Sequence, residues 1–360
     1  MAAVVLLGIA GCGGPTLKPW HTEELDAEFT LDKADEVRSF ADYQRLEDEL
    51  FNQLEQQVYA GVPTGREFEL ERYSAGSAAD PQHREPNWNR SFELGTETPA
   101  GAVLLLHGMS DSPYTFRALA ETLNERGFHV VGLRMPGHGT APSGLASVSW
   151  RDMAAAVAIG MQHLAARMGD KPIHIVGYST GTPLAVNYTL DALEAEGTRV
   201  PASLILISPA VSLHRAAALA GFKRRLAYDP GLGSLAWLQV LPEFDPYIYN
   251  SFPTNAAEQV HGITRSVTGR MASLARSGSL AAFPPTLVFK STVDATVSTN
   301  AVVDNLLARL APERNELVLF DVNRSAVKTI LMTDDPGPLT DRVMNDDSLP
   351  FAVTLVAKEN

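Results

Sequence analysis

The amino-acid sequence predicts an α/β fold, in which helices flank a mostly parallel sheet and one insertion forms a cap. From about residue 66 onward, short and fully apolar runs alternate with helical stretches. Such runs are typical of strands that are buried on both faces of a parallel sheet. The alternation lapses between Ser208 and Pro285, where aromatic residues accompany prolines and glycines. Because pockets in open α/β sheets lie beyond the carboxyl ends of strands, this insertion is expected to cover one.

The order of the elements follows from these runs. The predicted strands lie at residues 68–70, 92–94, 103–106, 130–131, 173–176, 204–207, 287–289, 317–320 and 351–356. Helices are predicted from residue 116 to Gly127 and over 150–168. Apolar residues also recur every three or four positions from Val37 to Val58, which predicts an amphipathic helix ending near Gly61.

These patterns divide the chain into four parts. We expect a signal-like segment at residues 1–12 and a tether with the amphipathic helix at 13–65. The α/β core is expected at 66–212 and 285–360, and the cap at 213–284. Most of the cap's aromatic residues are expected to form its own core, with one or two of them facing a ligand.

Composition excludes several classes of protein. The 360 residues carry a formal net charge of −13, whereas a nucleic-acid binder would present a basic surface. A single cysteine excludes a disulfide framework and a cysteine-rich zinc site. No apolar run reaches the roughly 18 residues that a membrane-spanning helix needs. We expect an acidic globular enzyme without metal or cofactor, and its oligomeric state is left open.

The amino terminus suggests a lipid anchor. The apolar residues 2–10 are followed by Gly11 and Cys12, the only cysteine of the chain. This ending is similar to that of a bacterial lipoprotein signal peptide, although the basic start of such a peptide is missing. Lipidation of Cys12 would hold the protein at a membrane surface of the bacterial cell envelope. The alternative is an ordinary buried or disordered segment.

A nucleophilic serine is indicated by Gly-Tyr-Ser-Thr-Gly at residues 177–181, which matches the pattern G-x-S-x-G. The pattern alone is weak, but it follows the strand 173–176 and precedes a helical stretch. A strand–turn–helix setting is what a nucleophile elbow requires, and small flanking residues permit its strained turn. Ser179 is therefore the predicted nucleophile.

An oxyanion hole is predicted from the end of the strand 103–106. The chain turns there through His107 and Gly108, so that the backbone N–H of Met109 can face the site. Together with the N–H of Thr180, it would hold the negative oxygen of a tetrahedral intermediate. We interpret His107 as a structural brace of this loop, since it lies on the wrong strand for a catalytic base.

Taken together, the chain resembles the α/β-hydrolase superfamily, in particular its serine aminopeptidase-like and monoglyceride-lipase-like branch. The motifs that carry the resemblance lie at residues 106–109, 136–139, 177–181 and 291–297. Cap residues 242–253 are similar to those of bacterial members that are often lipoproteins. The resemblance implies an α/β-hydrolase fold, a Ser nucleophile and a structural role for His138 in its Gly-His-Gly turn.

The triad acid is expected at Asp294, just past the strand 287–289, with Asp321 as a weaker candidate. In this fold the histidine follows the acid along the chain, yet none of the nine histidines follows Asp294. Three interpretations are open. The chain is truncated, or it is a catalytically inactive binding protein, or the cap supplies an unusual base, His214 or His261.

We therefore expect a serine hydrolase of the esterase or lipase type that transfers an acyl group from a small-molecule substrate to water. If the base is lost by truncation, residues 1–360 alone should show little esterase activity. The sequence leaves open the identity of the substrate and whether the protein is an esterase, a lipase, an aminopeptidase or an acyltransferase, since one core serves all of these activities.

Overall fold

The computed structural model describes residues 16–211, 236–292, 299–321 and 337–358. Its main feature is an eight-stranded sheet, whose strands lie across it in the order 92–94, 128–133, 101–106, 173–178, 203–207, 286–291, 316–320 and 352–356. The first of these strands runs antiparallel to its neighbour, and every other neighbouring pair is parallel. The predicted α/β fold with a mostly parallel sheet is confirmed.

The strands of this sheet are β1 (Phe92–Leu94), β2 (Gly101–Leu106), β3 (Phe128–Leu133), β4 (Ile173–Tyr178), β5 (Ser203–Ile207), β8 (Thr286–Ser291), β9 (Glu316–Phe320) and β10 (Ala352–Val356). Two further strands, β6 (Trp237–Gln239) and β7 (Phe252–Pro253), pair with each other. The strand predicted at residues 68–70 is wrong. Phe68 ends a 3₁₀ turn, and Leu70 is 71% exposed, because charged residues interrupt the short apolar run.

The helices are α1 (Pro19–Thr22), α2 (Phe40–Gln57), α3 (Arg117–Glu125), α4 (Ser143–Ser147), α5 (Trp150–Met168), α6 (Gly181–Glu194), α7 (Thr254–Ser277), α8 (Thr299–Asn305) and α9 (Gly337–Met344). Helix α5 has the predicted bounds, and α2 is the predicted amphipathic helix. Among the described residues, no helix combines the length and the apolar composition needed to cross a membrane.

Helices cover both faces of the sheet. Successive residues of β2 point to opposite faces, so Leu104 and Leu106 join the core beneath α5 and α6. Val103 and Leu105 join a second core beneath α3. Burial on both sides explains why β2 is apolar at every position rather than alternating.

The region predicted as a cap contains a long helix that packs on the core. Helix α7 is 24 residues long and lies against α4, α5 and α6. Residues 212–235, which include His214, lie outside the described residues, as does Cys12. The cap and the lipid anchor therefore stay predictions.

A buried charge network joins the amino-terminal segment to the core. Arg134 follows β3 and is 1% exposed. Its Nε donates to Glu47 on α2 at 2.9 Å, and its Nη2 donates to Glu28 at 3.0 Å. Glu28 also accepts the backbone N–H of Gly137 at 2.8 Å. The network thus fixes the turn after β3, which carries the Gly-His-Gly motif.

We predict that Arg134→Met destabilises the protein by about 3–5 kcal/mol, because the substitution leaves the carboxylates of Glu28 and Glu47 without their cation in a largely dry site. Denaturant unfolding measures the change. Arg45→Met is the matched control, since Arg45 pairs with Asp42 on the exposed side of α2. It should leave the free energy of unfolding nearly unchanged. Equal effects of the two substitutions would contradict the role given to the network.

Candidate active site

Ser179 stands on a sharp turn between β4 and α6. Its φ of +51° lies in the left-handed region, which costs a non-glycine residue of the order of 1 kcal/mol or more. Two backbone hydrogen bonds hold the turn. Ser179 N–H donates to Ile207 O at 3.0 Å, and Thr182 N–H donates to Ser179 O at 3.1 Å. This is the strand–turn–helix junction that the sequence predicts.

The two glycines of the motif are required by close backbone contacts. A Cβ on Gly177 would lie 2.6 Å from the carbonyl oxygen of Gly181. A Cβ on Gly181 would overlap the carbonyl oxygen of Leu106 and lie 2.9 Å from that of His107. The first turn of α6 is therefore pressed directly against the end of β2.

That contact brings the two predicted oxyanion donors to the same edge of the sheet. Leu106 of β2 pairs with Gly177 of β4, and Met109 and Thr180 each follow three positions later. Among the described residues, neither the N–H of Met109 nor that of Thr180 has a hydrogen-bond acceptor. Thr180 also precedes the first residue of α6, where the helix dipole favours negative charge. Both donors are thus available to an anionic oxygen.

His107 braces the loop and is unsuited to act as a base. Its Nδ1 donates to the carbonyl oxygen of Gly108 at 2.9 Å, and its Nε2 accepts the N–H of Met135 at 3.1 Å. Burial lowers the pKa of His107 well below its usual value, and nearby His138 acts in the same direction. With both ring nitrogens engaged, the structure agrees with the structural role expected of this residue.

The loop after β2 is also held by the segment between β6 and β7. Ser110 has a φ of +65°, and its carbonyl oxygen accepts the N–H of Tyr249 at 2.9 Å. Tyr249 belongs to the segment between β6 and β7, and its hydroxyl donates to Gly137 O at 3.3 Å. Tyr249 therefore links the loop after β2 to the Gly-His-Gly turn.

Asp111 is a buried carboxyl beside the loop after β2 that the sequence analysis did not single out. Burial raises the pKa of the Asp111 carboxyl to about 6. A hydrogen bond from the backbone of Gly108 acts to lower this pKa, and the nearby charge of Asp245 acts to raise it. A Cβ on Gly108 would lie 2.7 Å from Asp111 Oδ2, so the carboxyl lies directly behind the loop. The only feature of the sequence that pointed to Asp111 was its position just after the His-Gly-Met turn.

The first candidate for the triad acid, Asp294, lies in residues 293–298, outside the described part of the chain, and stays a prediction. Asp321 follows β9, is buried, and accepts a hydrogen bond from Thr292 Oγ1 at 3.0 Å. In the described part of the chain, no histidine makes a hydrogen bond to Ser179. His261 lies half-buried on α7.

We predict that Gly181→Ala destabilises the protein by at least about 3 kcal/mol, because the added methyl group must push α6 away from Leu106. Gly269→Ala is the matched control, since Gly269 also lies in a helix but nothing would contact its Cβ. Removing a helical glycine there should stabilise by about 0.5–1 kcal/mol. Urea unfolding of both variants checks the prediction, and a neutral effect at residue 181 would refute the close contact.

A second prediction concerns pH. The folded-state pKa of Asp111 exceeds the unfolded value, so its contribution to stability is complete below about pH 4 and is lost as the pH rises through about 6. Asp111→Asn keeps an acceptor for the Gly108 N–H but does not ionise. The stability of this variant relative to the wild type should therefore rise by up to about 3 kcal/mol between pH 4 and pH 8. Denaturant unfolding across this range measures it, and parallel pH profiles would contradict the burial of the carboxyl.

Comparisons with known proteins agree with this geometry. Residues 97–323 match the family Hydrolase_4, described as "Serine aminopeptidase, S33". A lysophosphatidylserine lipase of Danio rerio is 29% identical over 159 residues, which are 44% of this chain and 40% of the relative. A thermostable monoacylglycerol lipase of Bacillus sp. strain H-257 is 31% identical over 116 residues, 32% of this chain and 41% of the relative. The chain thus spans about two fifths of the length of these relatives.

A solved structure from work on the metagenome-derived lipolytic enzymes LipS and LipT shares the fold. It superimposes with a TM-score of 0.51 at 20% identity and covers 64% of this chain and 87% of that one. The family match extends from just before β2 to just beyond β9, and so includes the elbow and both predicted oxyanion donors. The chain has the α/β-hydrolase fold and belongs to the serine aminopeptidase family Hydrolase_4.

Proposed function

We propose that this protein is a serine hydrolase that cleaves carboxylic esters of a single apolar acyl chain, with Ser179 as the nucleophile. The observation that carries the proposal is the left-handed Ser179 at the start of α6, beside two backbone N–H groups without acceptors among the described residues. Backbone strain at a serine is maintained only where the surrounding structure enforces it, and such positions cluster at active sites.

In the proposed reaction, Ser179 Oγ attacks the ester carbonyl carbon as a base takes its proton. The carbonyl oxygen becomes an oxyanion, which the N–H groups of Met109 and Thr180 stabilise. Collapse of this intermediate releases the alcohol, which takes the proton from the base, and leaves an acyl-enzyme. Water then repeats the attack and frees the acid. Asp294 is the proposed acid that orients the base.

The base is the part of the triad that experiment must assign. His107 is unsuitable because both of its ring nitrogens are engaged. His214 and His261 belong to the region predicted as a cap, which is the part of the chain expected to reach over Ser179. These two histidines are therefore the first to be tested within residues 1–360.

An apolar acyl chain is favoured by exposed apolar side chains in the segment from β6 to β7, which lies beside the loop after β2. Leu238, Leu241, Phe244 and Ile248 are each between 39% and 56% exposed. This segment is joined to the loop by the hydrogen bond from Tyr249 N–H to Ser110 O. The names of the curated relatives, a lysophosphatidylserine lipase and a monoacylglycerol lipase, point to esters with one acyl chain.

The test uses the product of the whole gene and two substrates, a p-nitrophenyl ester and a monoacylglycerol. Ser179→Ala should reduce kcat for both by about 10⁴-fold or more, since only binding and the oxyanion hole would still act. Ser208→Ala is the matched control, because Ser208 directly follows the neighbouring strand β5 and also has a positive φ of 46°. It should retain activity.

Two results would contradict the proposal. One is unchanged ester hydrolysis by Ser179→Ala. The other is faster cleavage of amino-acid p-nitroanilides than of esters, which would make the protein an aminopeptidase. Among the histidine variants, His214→Ala and His261→Ala, a loss equal to that of Ser179→Ala would identify the base.

A further inference from the structure

Three side chains with metal-ligating atoms meet far from Ser179. Glu93 lies on β1, His129 on β3 and His163 on α5. His129 Nε2 is 2.5 Å from Glu93 Oε1, and His163 Nε2 is 3.0 Å from the same oxygen. All three ligand atoms lie within 4.8 Å of one another. The group is distinct from the candidate active site.

The sheet register explains why these residues meet. Glu93 pairs with Val131 across the antiparallel β1 and β3, so His129, two residues before Val131, lies on the same face as Glu93. Helix α5 covers this face, and His163 projects onto it. His129 also pairs with Ala102 near the start of β2. The cluster therefore lies towards the amino ends of the parallel strands, whereas Ser179 lies beyond their carboxyl ends.

The cluster is partly shielded from water. His129 is 3% exposed, and the ring of Phe40 lies 4.9 Å from that of His163. Two imidazoles and one carboxylate thus face a common point from three separate elements.

We propose that Glu93, His129 and His163 form a binding site for a divalent transition metal, of which Zn²⁺ is the best match. Two histidines and one glutamate are a known zinc ligand set, with water in the fourth position. Zinc with bonds of about 2.0–2.2 Å holds its ligand atoms about 3.3 Å apart. The two nitrogen–oxygen distances reach this value when each imidazole moves away from Glu93 by less than about 1 Å.

Arg167 competes for the same carboxylate. It follows His163 by one helical turn, and its Nε lies 3.3 Å from Glu93 Oε1. Its side chain is 52% exposed and can swing into solvent. A bound cation repels Arg167, so the arginine weakens metal binding in the wild type. Substitution of Arg167 should therefore strengthen metal binding, whereas substitution of a ligand histidine should weaken it.

The metal would have a structural role. Strand β1 is only three residues long and forms the edge of the sheet. Strand β1 already pairs with β3 through the backbone, and coordination would add a link from this edge to α5, where the side chains now meet at a single carboxylate oxygen of Glu93. Metal binding should therefore raise the stability of the folded chain without taking part in reactions at Ser179.

The test is titration of Zn²⁺ into the full chain, stripped with a chelator and carrying no histidine tag, followed by calorimetry. One equivalent should bind. His163→Gln and His129→Gln should each weaken binding by about tenfold or more, since even loss of a supporting residue costs 10–100-fold. Arg167→Gln should tighten it several-fold. Co²⁺ in place of Zn²⁺ should give the visible absorption of a four-coordinate site, and His163→Gln should abolish it.

His83→Gln is the matched control, because His83 Nδ1 lies 2.7 Å from Asp80 Oδ2 but no second histidine within the described residues joins that pair. It should bind Zn²⁺ as the wild type does. Thermal unfolding gives an independent measurement, in which Zn²⁺ should raise the Tm of the wild type but not that of His163→Gln. His163 is the more exposed histidine, so this variant is expected to fold. Absence of binding by the wild type, or binding that neither histidine substitution weakens, overturns the proposal.

Discussion

The contact between residue 181 and the carbonyl oxygen of Leu106 is the constraint on which the candidate active site depends. Because no side chain fits there, α6 can begin directly against the end of β2. The left-handed turn at Ser179 then lies beside the loop that contains Met109. The proposed nucleophile and its two proposed backbone donors are in this way brought together by close packing of the backbone.

The loop after β2 owes its shape to supports from distant parts of the chain. His107 bonds to the backbone of Met135, and Tyr249 bonds to Ser110 and Gly137. The turn at Gly137 is in turn fixed by Glu28 of the amino-terminal segment. The amino-terminal segment is thus part of the framework around the site, although the family match begins only at residue 97.

Much of the sheet and the elbow could be predicted because their signals are local. The apolar runs and the Gly-x-Ser-x-Gly pattern each occupy a few consecutive residues. The charge network around Arg134 and the cluster around Glu93 could not be predicted, because their residues are distant in sequence. Glu28 and Arg134 are 106 residues apart, and Glu93 and His163 are 70 apart, so only the folded sheet brings them together. Asp111 was missed for a related reason, since its burial is set by the tertiary packing of the loop.

The most direct test of the account is a crystal structure of the whole gene product after reaction with a phosphonate ester, a mimic of the tetrahedral intermediate. The account predicts a bond from phosphorus to Ser179 Oγ. It also predicts that the phosphonyl oxygen lies about 2.7–3.1 Å from the backbone nitrogens of Met109 and Thr180. Phosphorus on another side chain, or a phosphonyl oxygen that faces away from these two nitrogens, would contradict it.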